Sequence, residues 1–274
     1  MASSVQIMGI LNVTPDSFYD GGSCYRGGKP DLNLIIDKVG GMINDGAHII
    51  DVGGESSRPG ADEVSVDEEL ARVVPVIKEI HQQFPATPIS IDTRKPMVAE
   101  AALQAGASMV NDIAGFTSPS MCEVVAKSDC QLVLMHMQGE PQSMQKNPQY
   151  NNVIDEINAF FATQIAKLKT CGVEKSRIIL DPGICFGKTL EHNLLILAHL
   201  EKFHLHGCPL LLGTSRKSFI GKIMDDMQVD RLPGSLATLA LAQQQGVRYF
   251  RVHDVKASAQ ALKVAQAIAA FKHD

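Results

Sequence analysis

The chain carries two sets of polar residues whose types suit two different ligand chemistries. Asp92, Asn111 and Asp181 are acceptors, with Asn111 also a donor, and Lys217 adds a charged donor. Such a set can recognise a flat heterocycle with amide and amino edges, because a carboxylate pairs bidentately with adjacent N–H groups and an Asn reads a neighbouring donor–acceptor pair. Asn12, Arg58, Arg251 and His253 suit an anion such as a diphosphate, with or without a metal ion. Asn12 is a weak metal ligand by itself, but Mg²⁺ surrounded by phosphate oxygens and water commonly needs only one or two protein oxygens.

What would bring these residues together is a shared position at the end of an apolar run. The clearest case is Ile178-Ile179-Leu180-Asp181-Pro182-Gly183, which leads through Ile184-Cys185-Phe186-Gly187-Lys188 into a helical pattern. A short apolar run bounded in this way reads as a strand buried on both faces. The same grammar recurs at 7–13, 48–53, 88–92, 109–112, 131–136, 209–213 and 249–253. Helical patterns fall between the runs: Asp31 to Asn44, Asp67 to His81, Lys95 to Ala105, Ser120 to Lys127, Asn152 to Cys171 and Leu190 to Leu200. One more follows Pro233-Gly234 as far as Gln245, and a last one covers Lys256 to Lys272. Thr214 to Ser218 enters a further helical region.

Alternating strand and helix units imply a parallel sheet, and eight of them in 274 residues favour an α/β fold closed as a single (β/α)8 TIM barrel. A doubly wound open sheet is the alternative, but no G-x-G-x-x-G follows the first strand. No linker divides the chain, so one domain over 1–274 is expected. In a barrel the C-terminal strand ends share one mouth, where the active site lies. Those ends read Asn12, Asp51 with Glu55, Asp92, Asn111 with Asp112, His136, Asp181, Lys217 just past the seventh strand, and Arg251 with His253. Any one of them is equally well explained as a turn starter or helix cap. Their recurrence at nearly every strand argues for one cavity.

A net charge of -5 argues against nucleic acid or an anionic membrane as the main partner, so an anionic ligand must be held by a local cluster of donors. The six cysteines form no C-x-x-C pair and read as small buried hydrophobes. Met1-Ala2-Ser3-Ser4 has no basic segment followed by a long apolar one, and no apolar run reaches membrane-spanning length. A reduced, soluble, cytoplasmic protein is expected.

Seven stretches then carry a family resemblance. They are Met8 to Phe18 (MGILNVTPDSF), Asp51 to Gly60 (DVGGESSRPG), Ser90 to Lys95 (SIDTRK), Asn111 to Gly115 (NDIAG), Leu180 to Gly183 with Phe186 to Lys188, Gly213 to Ser218 (GTSRKS), and Arg251 to His253 (RVH). Together, and in this order over nearly the whole chain, they resemble the bacterial dihydropteroate synthases. The resemblance implies the barrel already inferred and a condensation. In it, 6-hydroxymethyl-7,8-dihydropterin diphosphate and p-aminobenzoate give 7,8-dihydropteroate and diphosphate, with Mg²⁺ as cofactor.

It implies residue roles as well. Asp92, Asn111, Met135, Asp181 and Lys217 would bind the pterin. Asn12, Ser57, Arg58, Arg251 and His253 would bind the diphosphate, with Asn12 the metal ligand. Phe18, Pro59, Phe186 and Ser218 would bind p-aminobenzoate, Ser218 holding its carboxylate near a helix N-terminus. Asp16 and Asp20 of the first loop, with Lys217 and Arg251, would be the catalytic residues. A homodimer through the last helices and inhibition by sulfonamides are further implications. Ser57 stands where the family commonly has Thr, and Ile184-Cys185 where Phe-Gly is more usual.

A nearer rival is a pterin-binding methyltransferase domain acting with a corrinoid protein, which has no use for a diphosphate clamp; Ser57-Arg58 and Arg251/His253 argue against it. A non-catalytic pterin-binding scaffold is argued against by the intact set of polar strand ends. Cys185 reads as a neighbour of a binding loop, Asp112 as an orienting group, and Met135 and Met137 as packing, with Met135 also a candidate beside the heterocycle. His136 reads equally as mouth lining or structural hydrogen bonding. His204-Leu205-His206 reads as a solvent-facing loop at the opposite end of the barrel.

Overall fold

The computed structural model describes residues 5–15, 25–26, 29–56, 58 and 60–271. Its main sheet has eight strands: β1 (Gln6–Asn12), β2 (Ile49–Gly53), β3 (Ile89–Asp92), β4 (Met109–Asp112), β5 (Gln131–Met135), β6 (Ile178–Asp181), β7 (Leu211–Leu212) and β8 (Tyr249–Val252). They pair in the order β6-β5-β4-β3-β2-β1-β8-β7, each pair parallel. A parallel bridge between Leu180 and Leu210 joins the ends, and the Leu180 N–H donates to the Pro209 carbonyl at 2.9 Å. That bridge closes the sheet into the expected barrel and rules out the open alternative.

The pleat explains how the strands are buried on both sides. Outward residues such as Leu11, Ile50, Ile91, Val110, Leu134, Leu180 and Phe250 join one large apolar cluster with the helices. Inward residues Met8, Ile49, Met109, Val133, Ile179, Leu211 and Tyr249 form a separate cluster inside the barrel. Side chains two positions apart share a face. The residue two places beyond the inner layer is therefore aimed along the same interior towards the C-terminal mouth. At those places stand Asp51, Asn111, Met135, Asp181 and Arg251.

The helices are α1 (Leu32–Asn44), α2 (Val66–Gln83), α3 (Pro96–Gln104), α4 (Pro119–Ala126), α5 (Val153–Thr170), α6 (Leu190–Ala198), α7 (Ser218–Ile223), α8 (Leu232–Gln244) and α9 (Val255–Ala270). Several start on side-chain caps that satisfy free N–H groups of the first turn. Asp31 accepts from Leu34, Ser65 from Glu68, Asn152 from Ile154 and Asp155, and Thr189 forms a capping box with His192. Three acidic residues in the first turn of α2 complement the helix dipole.

Two sequence expectations are corrected. The helix expected after Pro233-Gly234, α8, begins before that pair and not after it, because Pro is tolerated in a first turn where its N–H would lack a partner anyway. A two-stranded antiparallel ribbon, Tyr25–Arg26 with Lys29–Pro30, went unpredicted. Residues Leu200–His206 form a 3-10 helix, not a solvent-facing loop. There His204 Nε2 lies 2.8 Å from the Gln245 carbonyl, and the buried His206 ring lies 3.0 Å from Asn158 Oδ1. Among the described residues no helix is long and apolar enough to cross a membrane.

Candidate active site at the barrel mouth

A cavity of about 800 Å³ opens at the C-terminal strand ends, and Asn12, Arg58, Asp92, Phe186, Lys217, Ser218, Arg251 and His253 line it. Asn111, Met135 and Asp181 are buried at the same end, only 3%, 3% and 5% exposed. Asp16, Phe18, Asp20, Ser57 and Pro59 lie outside the described residues.

On one side the groups end strands. Asp92 pairs in register with Gly53 and with Asn111, and Asp181 with Met135, so the sheet itself sets their spacing. Arg251 reaches across from β8: its Nε donates to Asp51 Oδ2 at 2.6 Å and a terminal nitrogen donates to Asp92 Oδ2 at 2.5 Å. Burial, helped by the carboxylates of Asp51, Glu69 and Asp112, pushes Asp92 up to about 7 against the pull of Arg251. Burial also raises Asp181, opposed by Lys217, by the Gly183 N–H, and by Arg251 and Lys188. That Gly183 N–H donates to Asp181 Oδ1 at 2.8 Å. Asp51 Oδ1 and Asn111 Oδ1 are buried without a hydrogen-bond partner among the described residues. Buried acceptors left this way are costly unless a ligand satisfies them.

On the other side the groups hang on the turn between β7 and α7. Arg216 takes a left-handed backbone (φ 54°), uncommon for a long side chain. Side chains hold it there. Two guanidinium nitrogens of Arg216 donate to the two Asp254 carboxylate oxygens at 2.7 and 2.9 Å, a third donates to Asp230 at 3.0 Å, and its backbone N–H donates to Ser235 Oγ at 2.8 Å. The next residue, Lys217, donates to the Ile184 carbonyl at 2.7 Å, with its ammonium 4.8 Å from the centre of the Phe186 ring. Burial lowers Lys217, offset by Cys185 and Asp181. Ser215 Oγ accepts the His253 backbone N–H at 3.1 Å and lies 3.0 Å from its Nδ1. Burial and the Arg251 charge push His253 down to about 4, so its ring is neutral near pH 7.

Four residues at the site had been given no role: Asp51, Lys188, Ser215 and Arg216. Asp51 was detectable, since it stands two places beyond the inner-layer Ile49. Arg216 was not, because a left-handed Arg has no local sequence signature. Asp112 proves to be an orienting group, accepting from the N–H groups of Ala114 and Phe116 at 2.8 Å each. His136 holds Lys188: its Nδ1 lies 3.0 Å from the Lys188 ammonium, and burial with the Lys188 charge pushes it down to about 2.

For a metal, no cluster of three or more His, Cys, Asp or Glu ligands exists among the described residues. The mouth suits a cation carried mainly by its ligand. Gly53 leaves space beside Asn12, since a Cβ there would come 3.9 Å from both Asn12 Oδ1 and Asp92 Oδ2. One neutral oxygen next to that space fits Mg²⁺ coordinated chiefly by phosphate and water.

Comparison with known proteins gives the same direction from the whole chain. Residues 8–253 match the family model described as pterin binding enzyme. Dihydropteroate synthase of Escherichia coli K12 is 47% identical over 275 residues, covering 99% of this chain and 94% of that protein. The chain belongs to the dihydropteroate synthase family. Solved structures of synthases superpose throughout. A Yersinia pestis dihydropteroate synthase, in complex with a sulfonamide drug, has a TM-score of 0.92 at 43% identity over 98% of this chain and 96% of that one. The Xanthomonas albilineans enzyme with 4-aminobenzoic acid has a TM-score of 0.88 at 40% identity, covering 98% and 94%. The family resemblance and the barrel expected from the sequence both hold.

Proposed function

We propose that this synthase condenses 6-hydroxymethyl-7,8-dihydropterin diphosphate with p-aminobenzoate, releasing diphosphate. The observation that carries the reading is the juxtaposition of buried heterocycle-reading groups with a cationic rim inside one cavity. Asp92, Asn111 and Asp181 would take the pterin's amide and amino edges, Met135 would pack beside the ring, and Lys217 would add a donor. Arg251, His253, Arg58, Ser57 and Asn12 would hold the diphosphate. Phe186, with Phe18 and Pro59, would pack on the p-aminobenzoate ring, and the Ser218 hydroxyl would take its carboxylate; α7 has only six residues, so the hydroxyl matters more than a helix dipole.

No nucleophilic side chain is required. The methylene carbon bears a good leaving group, and the aniline nitrogen attacks as diphosphate departs. Arg251 and Lys217 place positive charge where negative charge develops. Orientation of the two substrates contributes the remainder. Asp16 and Asp20 would act at the reacting end. Asn12 would hold Mg²⁺, which supplies charge neutralisation on the diphosphate.

Two features support further parts of the reading. Exposed Leu241, Val264, Ile268 and Phe271 on or at the end of the adjacent helices α8 and α9 give a homodimer an apolar contact face. A sulfonamide bound to the Yersinia pestis synthase supports inhibition of this chain by the same drugs. A cytoplasmic location follows from a folate-pathway role. The test is steady-state release of diphosphate. The reading requires release to depend on p-aminobenzoate; release that ignores p-aminobenzoate, or none at all, overturns it.

A further inference from the structure

Lys188 closes the loop between β6 and α6 and is only 1% exposed. A fully buried lysine needs partners for all three ammonium protons. It has three: the Phe186 carbonyl at 2.9 Å, the His136 carbonyl at 3.3 Å and His136 Nδ1 at 3.0 Å. The neutral ring leaves Nδ1 as an acceptor, with its proton on Nε2. Two of these acceptors belong to the residue that follows β5, and the third lies in the loop after β6. One ammonium therefore ties the two loops together.

The loops also lie in direct backbone contact. A Cβ on Gly183 would fall 1.9 Å from the His136 carbonyl oxygen, and one on Gly187 would fall 2.2 Å from that of Gln138. Tyr150 donates its hydroxyl to the Gly187 carbonyl at 2.9 Å. From the opposite side Lys217 donates to Ile184 and stands over the Phe186 ring. Phe186 is thus held between two lysines, one gripping its backbone and the other facing its ring. Phe186 packs with Ile113, Met135 and Met144, next to the strand end that carries Asp181.

We propose that Lys188, held in place by His136, is a positioning residue: it fixes the Phe186 ring at the boundary between the pterin pocket and the p-aminobenzoate pocket. The inference rests on the proposed function for the identity of those two ligands. Lys188 keeps its own donors inside the protein, so its effect on substrate passes through the loop. The groups facing it are His136, Asp181, Lys217 and Cys185, and burial with the Lys217 charge brings it down to about 7 against the pull of Asp181.

The test is steady-state kinetics on the full chain with Lys188→Met, His136→Leu and the double variant, varying each substrate in turn. A misplaced ring predicts that KM for p-aminobenzoate rises about tenfold, with kcat and KM for the pterin diphosphate changed less than about threefold. The double variant should show no further rise, because both residues act through one contact. His136→Gln, which retains an acceptor, should recover most of the p-aminobenzoate affinity. A purely structural role would lower kcat through loss of folded enzyme and leave KM alone, and that result overturns the proposal. If Lys188→Met fails to fold, His136→Leu and His136→Gln decide the matter alone: equal KM for p-aminobenzoate in both and in the wild type overturns it. A wild type without p-aminobenzoate-dependent diphosphate release would overturn the proposed function, and this inference with it.

Discussion

Between β2 and β6 the buried acceptors of the mouth are strand-end residues, whereas beside β7 and β8 most of the polar groups hang on an irregular turn. Asp92 and Asp181 take their places from ladder register, and Asp51 from the pleat. Arg216, Lys217 and Ser218 follow a strand of only two residues, and the turn keeps its shape through Arg216 with Asp254, Asp230 and Ser235. The acidic wall uses backbone to fix side chains. The basic wall uses side chains to fix backbone. Damage to the first should therefore be steric or chemical at the ligand, and damage to the second should spread from outlying ion pairs.

The largest expected effect comes from breaking the contact behind the acidic wall. Gly183→Ala combines a left-handed position (φ 70°) with a Cβ 1.9 Å from the His136 carbonyl oxygen, so the backbone must move. It should cost about 2–4 kcal/mol of stability and nearly all activity. Thermal unfolding and diphosphate release check this, and a wild-type melting temperature with normal turnover would show that the two loops are not rigidly apposed.

Next is Asp181→Asn, which keeps an acceptor for the Gly183 N–H but removes the charge. Pterin affinity should fall by about 1.5–3 kcal/mol while the fold and anion binding persist. Calorimetry with a pterin fragment reads it directly; unchanged affinity would remove Asp181 from the heterocycle pocket.

On the basic wall Asp254→Asn loosens Arg216 without touching the cavity floor. Anion affinity should fall by about 1 kcal/mol, or roughly fivefold, with pterin affinity unchanged. Equal losses for both ligands would mean that the two walls are one mechanical unit.

The smallest effect is a pH dependence that joins them. Arg251 is shared between Asp51 and Asp92, and Asp92 sits at about 7. Below that pH Asp92 becomes neutral and Arg251 is more available, so sulfate should bind about threefold tighter at pH 6 than at pH 8. Asp92→Asn should remove this dependence. His253, already neutral above about 4, should add no step near its ordinary value of 6.5.

The same contrast explains what could be read from the sequence. Strand ends were legible because an apolar run followed by a polar residue is a local signal. Asp92, Asn111, Asp181 and Arg251 all fall where that signal puts them. The pleat also encoded Asp51, which needed only a step of two from Ile49. The turn after β7 was less legible, because Arg216 depends on Asp254 and Ser235, distant in sequence. The close packing of α8 on α7 was likewise hidden: a Cβ on Gly234 would fall 2.5 Å from Ile220 Cγ2. His204 and His206 looked solvent-facing because their partners, Gln245 and Asn158, lie more than forty positions away.

The closure of the barrel has one more consequence. Seven neighbouring strand pairs are joined by ladders of two or more residues, while β6 and β7 meet at a single bridge, Leu180 with Leu210. Local opening begins where the fewest backbone bonds must break together. The Leu180 amide, donating to Pro209, is therefore a gauge of how tightly the ring is shut. Asp181 stands next to that bridge on β6, and Lys217 follows β7 on the far side. Lys217 already ties the seam from above by donating to the Ile184 carbonyl at 2.7 Å, so a side-chain contact supplements the single backbone rung where the circumference of the barrel closes.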